Sequence, residues 1–436
     1  MSLLPKALDI SFERVLQLLP SNYEALAREH GAFVRARKIK SPRQLLQLVL
    51  GYCGLDQSLR ECAGQMTLLG SRLSDTAVNK RLKGCLSWIE AMLGGLVQAD
   101  AQRLVLGGLR FVLVDSSTVQ GPGARETWYR LHLALDLVRL RFVSATVSDK
   151  HASDELSHYG LNEGDVVVAD RGFNQVSDWI GHAQRGILLV VRYNAEGAAC
   201  YDPASAEKLD LEARLSAAGP QQRCWPVQVR ARRQHLEGYL HALALPPEQA
   251  EQARRRVHQR AKKRGRTPRK RTLLFAGWVL VFTTVPPSVL SSDIIGPLYR
   301  LRWQVELAIK RLKSVLDLDE LRSREGSVLA QVYLHGKLLY AWLVERLVGQ
   351  RCGSEWNHLA APRQATPWRI WKTLHRELTT LISGVQNWNL ERWPQCLEVM
   401  QERPRKRQLQ TLPARIIQLI TFCKTNGFSN IGGHRA

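Results

Sequence analysis

Two short apolar runs, each leading straight into an aspartate, place the tightest limit on what this chain can fold into. Residues 110–114 (RFVLV) lead into Asp115, and residues 165–169 (DVVVA) lead into Asp170. Runs of this length, rich in β-branched residues, read as short buried strands. In open α/β sheets, sites lie beyond the carboxyl ends of parallel strands. If these two strands are parallel neighbours, both carboxylates emerge at one edge, close enough to share a cation. Aspartate after a strand is also a common turn residue, so the weight falls on the elements around the pair.

Those elements come in a definite order. Residues 130–137 alternate, with Leu131, Leu133, Leu135 and Leu137 on one face and His132, Ala134 and Asp136 on the other. That is the pattern of a half-buried strand. Residues 140–147 read as a third strand and 152–159 as a helical stretch. The strand into Asp170 follows, then a helix over 174–184 and a strand over 187–192. Three strands, a helix, a strand, a helix and a strand is the order of a ribonuclease-H-like core. Much later, one long helix is predicted from near Ser292 to about Leu316. At about 100° per residue, its Tyr299, Arg302, Glu306, Lys310 and Lys313 fall within roughly 80° of one another. Leu301, Val305, Ala308, Leu312 and Leu316 form an adjoining stripe that can pack on the sheet. A carboxylate ringed by cations reads as exposed salt bridges of little energetic weight. It also reads as a third acid for Asp115 and Asp170, with basic neighbours placed to hold phosphates. Carboxylates without His or Cys nearby suit Mg²⁺ or Mn²⁺ rather than zinc.

The charge balance points to the partner. Among 436 residues, 62 Lys and Arg stand against 39 acids, a net charge of +23. Such an excess favours a polyanion, most often nucleic acid. An anionic membrane is the rival, but the longest apolar run, residues 273–282, is far short of the roughly 20 needed to span a bilayer. No signal-peptide pattern opens the chain, so a cytoplasmic, nucleoid-associated bacterial protein is expected. Residues 254–271 hold eleven Lys or Arg and no acid. So dense a block repels itself without counter-charge, which favours a DNA-backbone contact over a solvated helix and loop. Near the N-terminus, residues 29–43 carry Arg35, Arg37, Lys38, Lys40 and Arg43. A helix near 57–66 is followed by a turn through Gly70 and by a helix capped by Ser74 that carries Lys80 and Arg81. This fits both a helix-turn-helix reader of DNA ends and an ordinary helical domain with a basic face. Eight cysteines lie scattered with no Cys-x-x-Cys pair, against a zinc site and against a disulfide framework.

The residues then reach a family. Tyr299-x2-Arg302-x3-Glu306-x6-Lys313 resembles the signature of the insertion-sequence-four family of DDE transposases. Asp170-Arg171-Gly172-Phe173 is similar to that family's second motif, Asp-x-Gly-aromatic, and the strand into Asp115 to its first. The first loop departs from the pattern, because Ser116-Ser117-Thr118 stands where many members have Asp-Gly-Thr. The 136 positions between Asp170 and Glu306 leave room for the family's β insertion. The resemblance implies an α/β fold: a ribonuclease-H-like mixed sheet with a β-rich insertion, flanked by helical N- and C-terminal domains. The expected boundaries are 1–105 (helical, DNA-binding), 106–192 and 286–345 (the two parts of the core), 193–285 (basic insertion) and 346–436 (helical, dimerising). It implies a DNA transposase in which Asp115, Asp170 and Glu306 hold two Mg²⁺ or Mn²⁺ ions about 3.5–4 Å apart. Its expected partners are the element's double-stranded terminal inverted repeats, the target DNA and a second copy of the chain. Tyr299, Arg302 and Lys313 would position phosphates; helical geometry adds Lys310, and Arg171 adjoins the second acid. Trp278, 21 residues before Tyr299, lies where some members stack a flipped base during hairpin formation, and it also fits a buried core position. A nuclease that cuts without joining, and a non-catalytic DNA-binding relative, are the alternatives.

Overall fold

The computed structural model describes residues 12–383, apart from 70, 100–107, 124–125, 220–221, 354–355 and 360–364. Gly70 and most of the expected C-terminal dimerising region therefore lie outside the described residues. Nine strands form one mixed sheet in the order β3-β2-β1-β4-β5-β9-β8-β7-β6. The first five are β1 (Arg110–Gln120), β2 (Thr127–Asp136), β3 (Arg141–Asp149), β4 (Asp165–Ala169) and β5 (Leu188–Arg192). β1, β2 and β3 run as an antiparallel meander, while β4 lies parallel to both β1 and β5. Order 3-2-1-4-5 with this pairing is the ribonuclease-H-like arrangement. The remaining strands, β6 (Cys200–Tyr201), β7 (Arg223–Ala231), β8 (Gln234–Ala244) and β9 (Trp278–Thr283), continue the same sheet through an antiparallel β9–β5 pair.

Alternation along the central strands explains why both faces are covered. Phe111, Leu113, Val166 and Val168 enter one core, whereas Val112, Val114, Val167 and Ala169 enter the other. The uninterrupted apolar runs are thus two interleaved faces, each needing its own cover. At the foot of the sheet, buried Arg110 donates to both oxygens of Asp165 (2.9 and 3.1 Å) and lies 3.6 Å from Asp136. Arg110 and Asp165 are also register partners, so this pairing fixes β1 against β4.

Before the sheet come α1 (Tyr23–Glu29), α2 (Pro42–Cys53), α3 (Leu59–Leu68), α4 (Asp75–Lys83) and α5 (Leu86–Ala99). Ser58 and Glu61 form a capping box on α3, and Ser74 accepts from Ala77 N at the start of α4. α6 (Val176–Gln184) follows β4, and α7 (Leu211–Ala218), α8 (Pro247–Lys263) and α9 (Lys270–Ala276) lie between β6 and β9. After β9 come α10 (Ser292–Leu301), α11 (Trp303–Leu316), α12 (Val328–Cys352) and α13 (Pro367–Ser383). α12 is buried around most of its circumference, as expected of a helix that is apolar on every face.

Four local expectations change. β1 does not stop at Asp115 but runs on to Gln120, because β2 continues to pair with it after the parallel pairing to β4 ends at Leu113. β2 is buried on both faces, since His132, Ala134 and Asp136 are covered as well as its leucines. The stretch 152–159 holds only a 3-10 turn, Leu156–His158. There Asp178 accepts from Leu156 N, and the Asp154 side chain is held by Ser116 and Arg130, so side chains replace helical partners. Finally, the long helix is two. At Arg302 and Val305 the backbone switches to bonds three residues back, onto Tyr299 O and Arg302 O.

Candidate active site

The register of β1 and β4 sets the first two acids side by side. Their last parallel pair is Leu113 with Val168, and Asp115 and Asp170 each lie two residues beyond it. Asp115 accepts from Ser116 N at 2.9 Å, and Asp170 accepts from Gly172 N at 2.7 Å. The third acid arrives on α11. Leu301, Val305, Ala308, Leu312 and Leu316 are all buried, and α11 packs on β1 and β2. The loop after α11 is tied to the end of β1, where Gln120 N donates to Asp319 O and Leu321 N to Gln120 O. Glu306 therefore faces the strand ends by packing, not by a chance surface pairing.

Arg302 lies at the centre of this group. Its guanidinium is 3.8 Å from Asp115 Oδ2 and makes a close ion pair with Glu306. Burial opposes the Arg302 charge, but Tyr299, Glu306, Asp115 and Asp170 more than offset it and hold its pKa above the ordinary value. Asp115 shows the reverse balance. Burial raises its pKa to about 6 against the pull of Arg302, and the charges of Asp170 and Glu306 add to the rise. Asp115 and Glu306 thus share one guanidinium, and the charge of Asp170 also acts on it. The centroid of the Tyr299 ring is 6.0 Å from the guanidinium carbon of Arg192 and 6.0 Å from that of Arg302.

The donor set suits a hard divalent cation, being all carboxylate oxygen. Arg302 pairs with two of these acids, Asp115 and Glu306. Among the described residues no three acidic, His or Cys groups yet stand at chelating distance. The residues therefore suit such an ion by their chemistry, while two of the three acids are engaged by Arg302.

The other expected residues lie around this centre. Arg171 is exposed; with Asp170, Tyr299, Arg302 and Trp278 it lines an open cavity of about 1300 Å³. Trp278 is only 8 % exposed and opens β9. The far wall is the basic segment, with Arg256, Arg260 and Arg264 among its lining residues. All eleven basic side chains of 254–271 are exposed. Lys313 is 3.5 Å from Asp319, and exposed Lys310 makes no ion pair among the described residues. Sequence reasoning missed Asp154, which accepts from Ser116 Oγ (2.7 Å) and Arg130 (3.2 Å) beside the site. It also passed over Trp303, which is 53 % exposed next to Arg302. Apolar periodicity marks neither, because Asp154 belongs to a loop and Trp303 lies off the buried stripe.

A sheet of this order, with acids on β1, after β4 and on a late helix, defines the ribonuclease-H-like class of acid-lined α/β proteins. Residues 106–342 match the family model described as the transposase DDE domain. The chain belongs to the DDE transposase family. It is 30% identical over 349 residues to the InsL protein of insertion sequence element IS186A in Escherichia coli (strain K12), covering 76% of this chain and 91% of that one. It is also 30% identical over 350 residues to the transposase for insertion sequence element IS421 of Escherichia coli, with the same coverage. With the transposase for insertion sequence element IS231F of Bacillus thuringiensis subsp. israelensis it shares 22% over 370 residues, covering 75% of this chain and 77% of the relative. A solved synaptic complex of piggyBac transposase with hairpin DNA aligns at a TM-score of 0.37 and 9% identity, covering 92% of this chain and 86% of that one. Among the described residues, no helix is long and apolar enough to cross a membrane.

Proposed function

We propose that this transposase cuts the ends of its own insertion element and joins them to target DNA, with Asp115, Asp170 and Glu306 as the catalytic acids. The observation that carries this reading is that Asp115 and Glu306 both pair with Arg302, while the register of β1 and β4 brings Asp170 out beside Asp115 and its charge acts on the same guanidinium. Asp115, Asp170 and Glu306 would hold two Mg²⁺ or Mn²⁺ ions, which when bound activate the attacking oxygen and stabilise the leaving one. The chain's own groups do the rest. Arg302, released from Asp115 and Glu306, is free to take a phosphate oxygen, and Tyr299 orients it by stacking. Lys313, Lys310 and Arg171 extend the positive surface along the DNA strand. Arg256 and Arg260 of α8, with Arg264, Arg266 and Arg269 after it, line the same cavity and would grip the backbone of the displaced or flanking strand. Trp278, at the cavity wall, is placed to stack a base turned out of the duplex, an interaction worth roughly 1–3 kcal/mol. The N-terminal helices are proposed to read the inverted repeats, and two copies to hold the paired ends.

The test uses element-end DNA, both intact and pre-cut. Asp115→Ala, Asp170→Ala and Glu306→Ala should each lower cleavage by roughly a thousandfold or more while leaving end binding in place. Wild-type protein given pre-cut ends should produce joined DNA. Unchanged activity in all three variants would remove the triad, and cutting without joined product would make the protein a nuclease. Hairpin products on a denaturing gel are expected if Trp278 acts as proposed, whereas open ends would return it to the core.

A further inference from the structure

A fourth carboxylate stands beside the three. Asp154 comes from the loop between β3 and the 3-10 turn, and its two oxygens have different surroundings. Oδ1 accepts from Ser116 Oγ at 2.7 Å and from Arg130 at 3.2 Å. Ser116 is the residue after Asp115, and its backbone N–H is the donor to Asp115. Oδ2 makes no hydrogen bond among the described residues and faces Gly172. A β-carbon on Gly172 would stand 3.2 Å from Asp154 Oδ2 and 3.0 Å from Asp170 Oδ1, so the two carboxylates flank one narrow gap that glycine keeps open. A second polar atom is also unmet here. The Tyr159 hydroxyl, on a residue 2 % exposed, has no hydrogen-bond partner among the described residues, and the charges of Asp115, Asp154 and Asp170 all act on it. A buried hydroxyl left without a partner costs about 1–3 kcal/mol unless a ligand or bound water meets it.

We propose that Asp154 is a positioning residue of the divalent-ion site. Through Oδ1 it fixes the Asp115 strand by way of Ser116, and through Oδ2 it accepts hydrogen bonds from water carried by the ion, with the Tyr159 hydroxyl as a further partner for that water. This inference rests on the proposed ion site and adds a named outer member to it. Partners of this kind typically change metal affinity by roughly 10–100-fold when removed.

The experiment titrates Mn²⁺ into the full chain without DNA, counting free Mn²⁺ by electron paramagnetic resonance. Asp154→Ala and Asp154→Asn are expected to weaken Mn²⁺ binding about tenfold or more, with metal-free DNA binding unaltered. The asparagine variant keeps an oxygen for Ser116 and Arg130 and decides the matter alone if the alanine variant does not fold. Mn²⁺ affinity within about twofold of wild type in the folded variants would overturn the role of Asp154. Asp170→Ala separates the two readings. If it loses Mn²⁺ while the Asp154 variants do not, only this inference falls; if it binds normally, the ion site itself is wrong.

Discussion

Gly172 shows how one missing side chain shapes the site. It separates Asp170 from Asp154 by less than the room a methyl group needs, so Gly172→Ala must push at least one carboxylate aside. The expected outcome is a stable protein whose Mn²⁺ affinity falls by roughly tenfold, read by the same titration. Wild-type affinity would mean that the acids can shift at no cost. At this scale the sequence is only partly legible. Asp115 and Asp170 are visible because apolar runs lead into them, and Glu306 because it shares a helical face with four other polar residues. Asp154 is not visible, since its meaning depends on Ser116 and Arg130, which lie on other elements. Arg302 reads from sequence as a phosphate ligand or as a salt-bridge partner of Glu306 four residues on, and its approach to Asp115 emerges only once the sheet and helix are assembled.

Elements, rather than residues, set how firmly Glu306 is aimed and how tightly DNA is held. Lys337, fully buried in α12, donates to Leu316 O at the end of α11 and to Asp56 beyond α2, each at 2.6 Å. One ammonium therefore ties the N-terminal helices to the helix that carries Glu306. Lys337→Met should destabilise the protein by about 2–4 kcal/mol in denaturant unfolding, because Asp56 loses its closest cation. A change below about 0.5 kcal/mol would show that the tie contributes little. On the other side of the site, α8 buries only Ala250 and exposes the rest of its basic surface. Replacing Arg256, Arg260 and Arg264 together by Gln should reduce the slope of log affinity against log salt by roughly 2–3, at about 0.9 for each phosphate no longer neutralised. An unchanged slope would make this helix a solvated bystander. The exposed basic charge of 254–271 and the central strands are legible from composition and apolar runs, whereas the helix that carries much of that charge is not. The break at Arg302 is not, because the stripe of buried residues passes through it without interruption. Nor is the loss of helix over 152–159, where helical spacing in the sequence yields to side-chain partners supplied by β1, β2 and α6.

At the scale of the whole molecule, one sheet carries the two aspartates and the inserted strands, and a buried histidine lies within it. His241, on β8, is fully buried between Ser292 Oγ (2.8 Å) and Cys224 Sγ (3.6 Å). Burial pushes its pKa down from 6.5 to about 4. The unfolded chain takes up this proton near pH 6.5 and the folded one only near 4, so stability present above 6.5 is lost as pH falls through that window. His241→Gln should therefore flatten the decline in Tm between about pH 6.5 and 4.5, by the equivalent of roughly 2–3 kcal/mol. Parallel declines in the two proteins would show that His241 is not the sensitive group. The joint between β5 and β9 has a further consequence, this one for anyone trimming the chain. β9 is apolar and buried along almost its whole length, with β5 on one flank and β8 on the other. Excising residues 193–277 to isolate a minimal cutting fragment would strip away β8 and leave the backbone of β9 as a bare, sticky rim. Such a fragment should clump through that rim, so soluble miniatures of this protein will need a replacement strand or a charged guard along it.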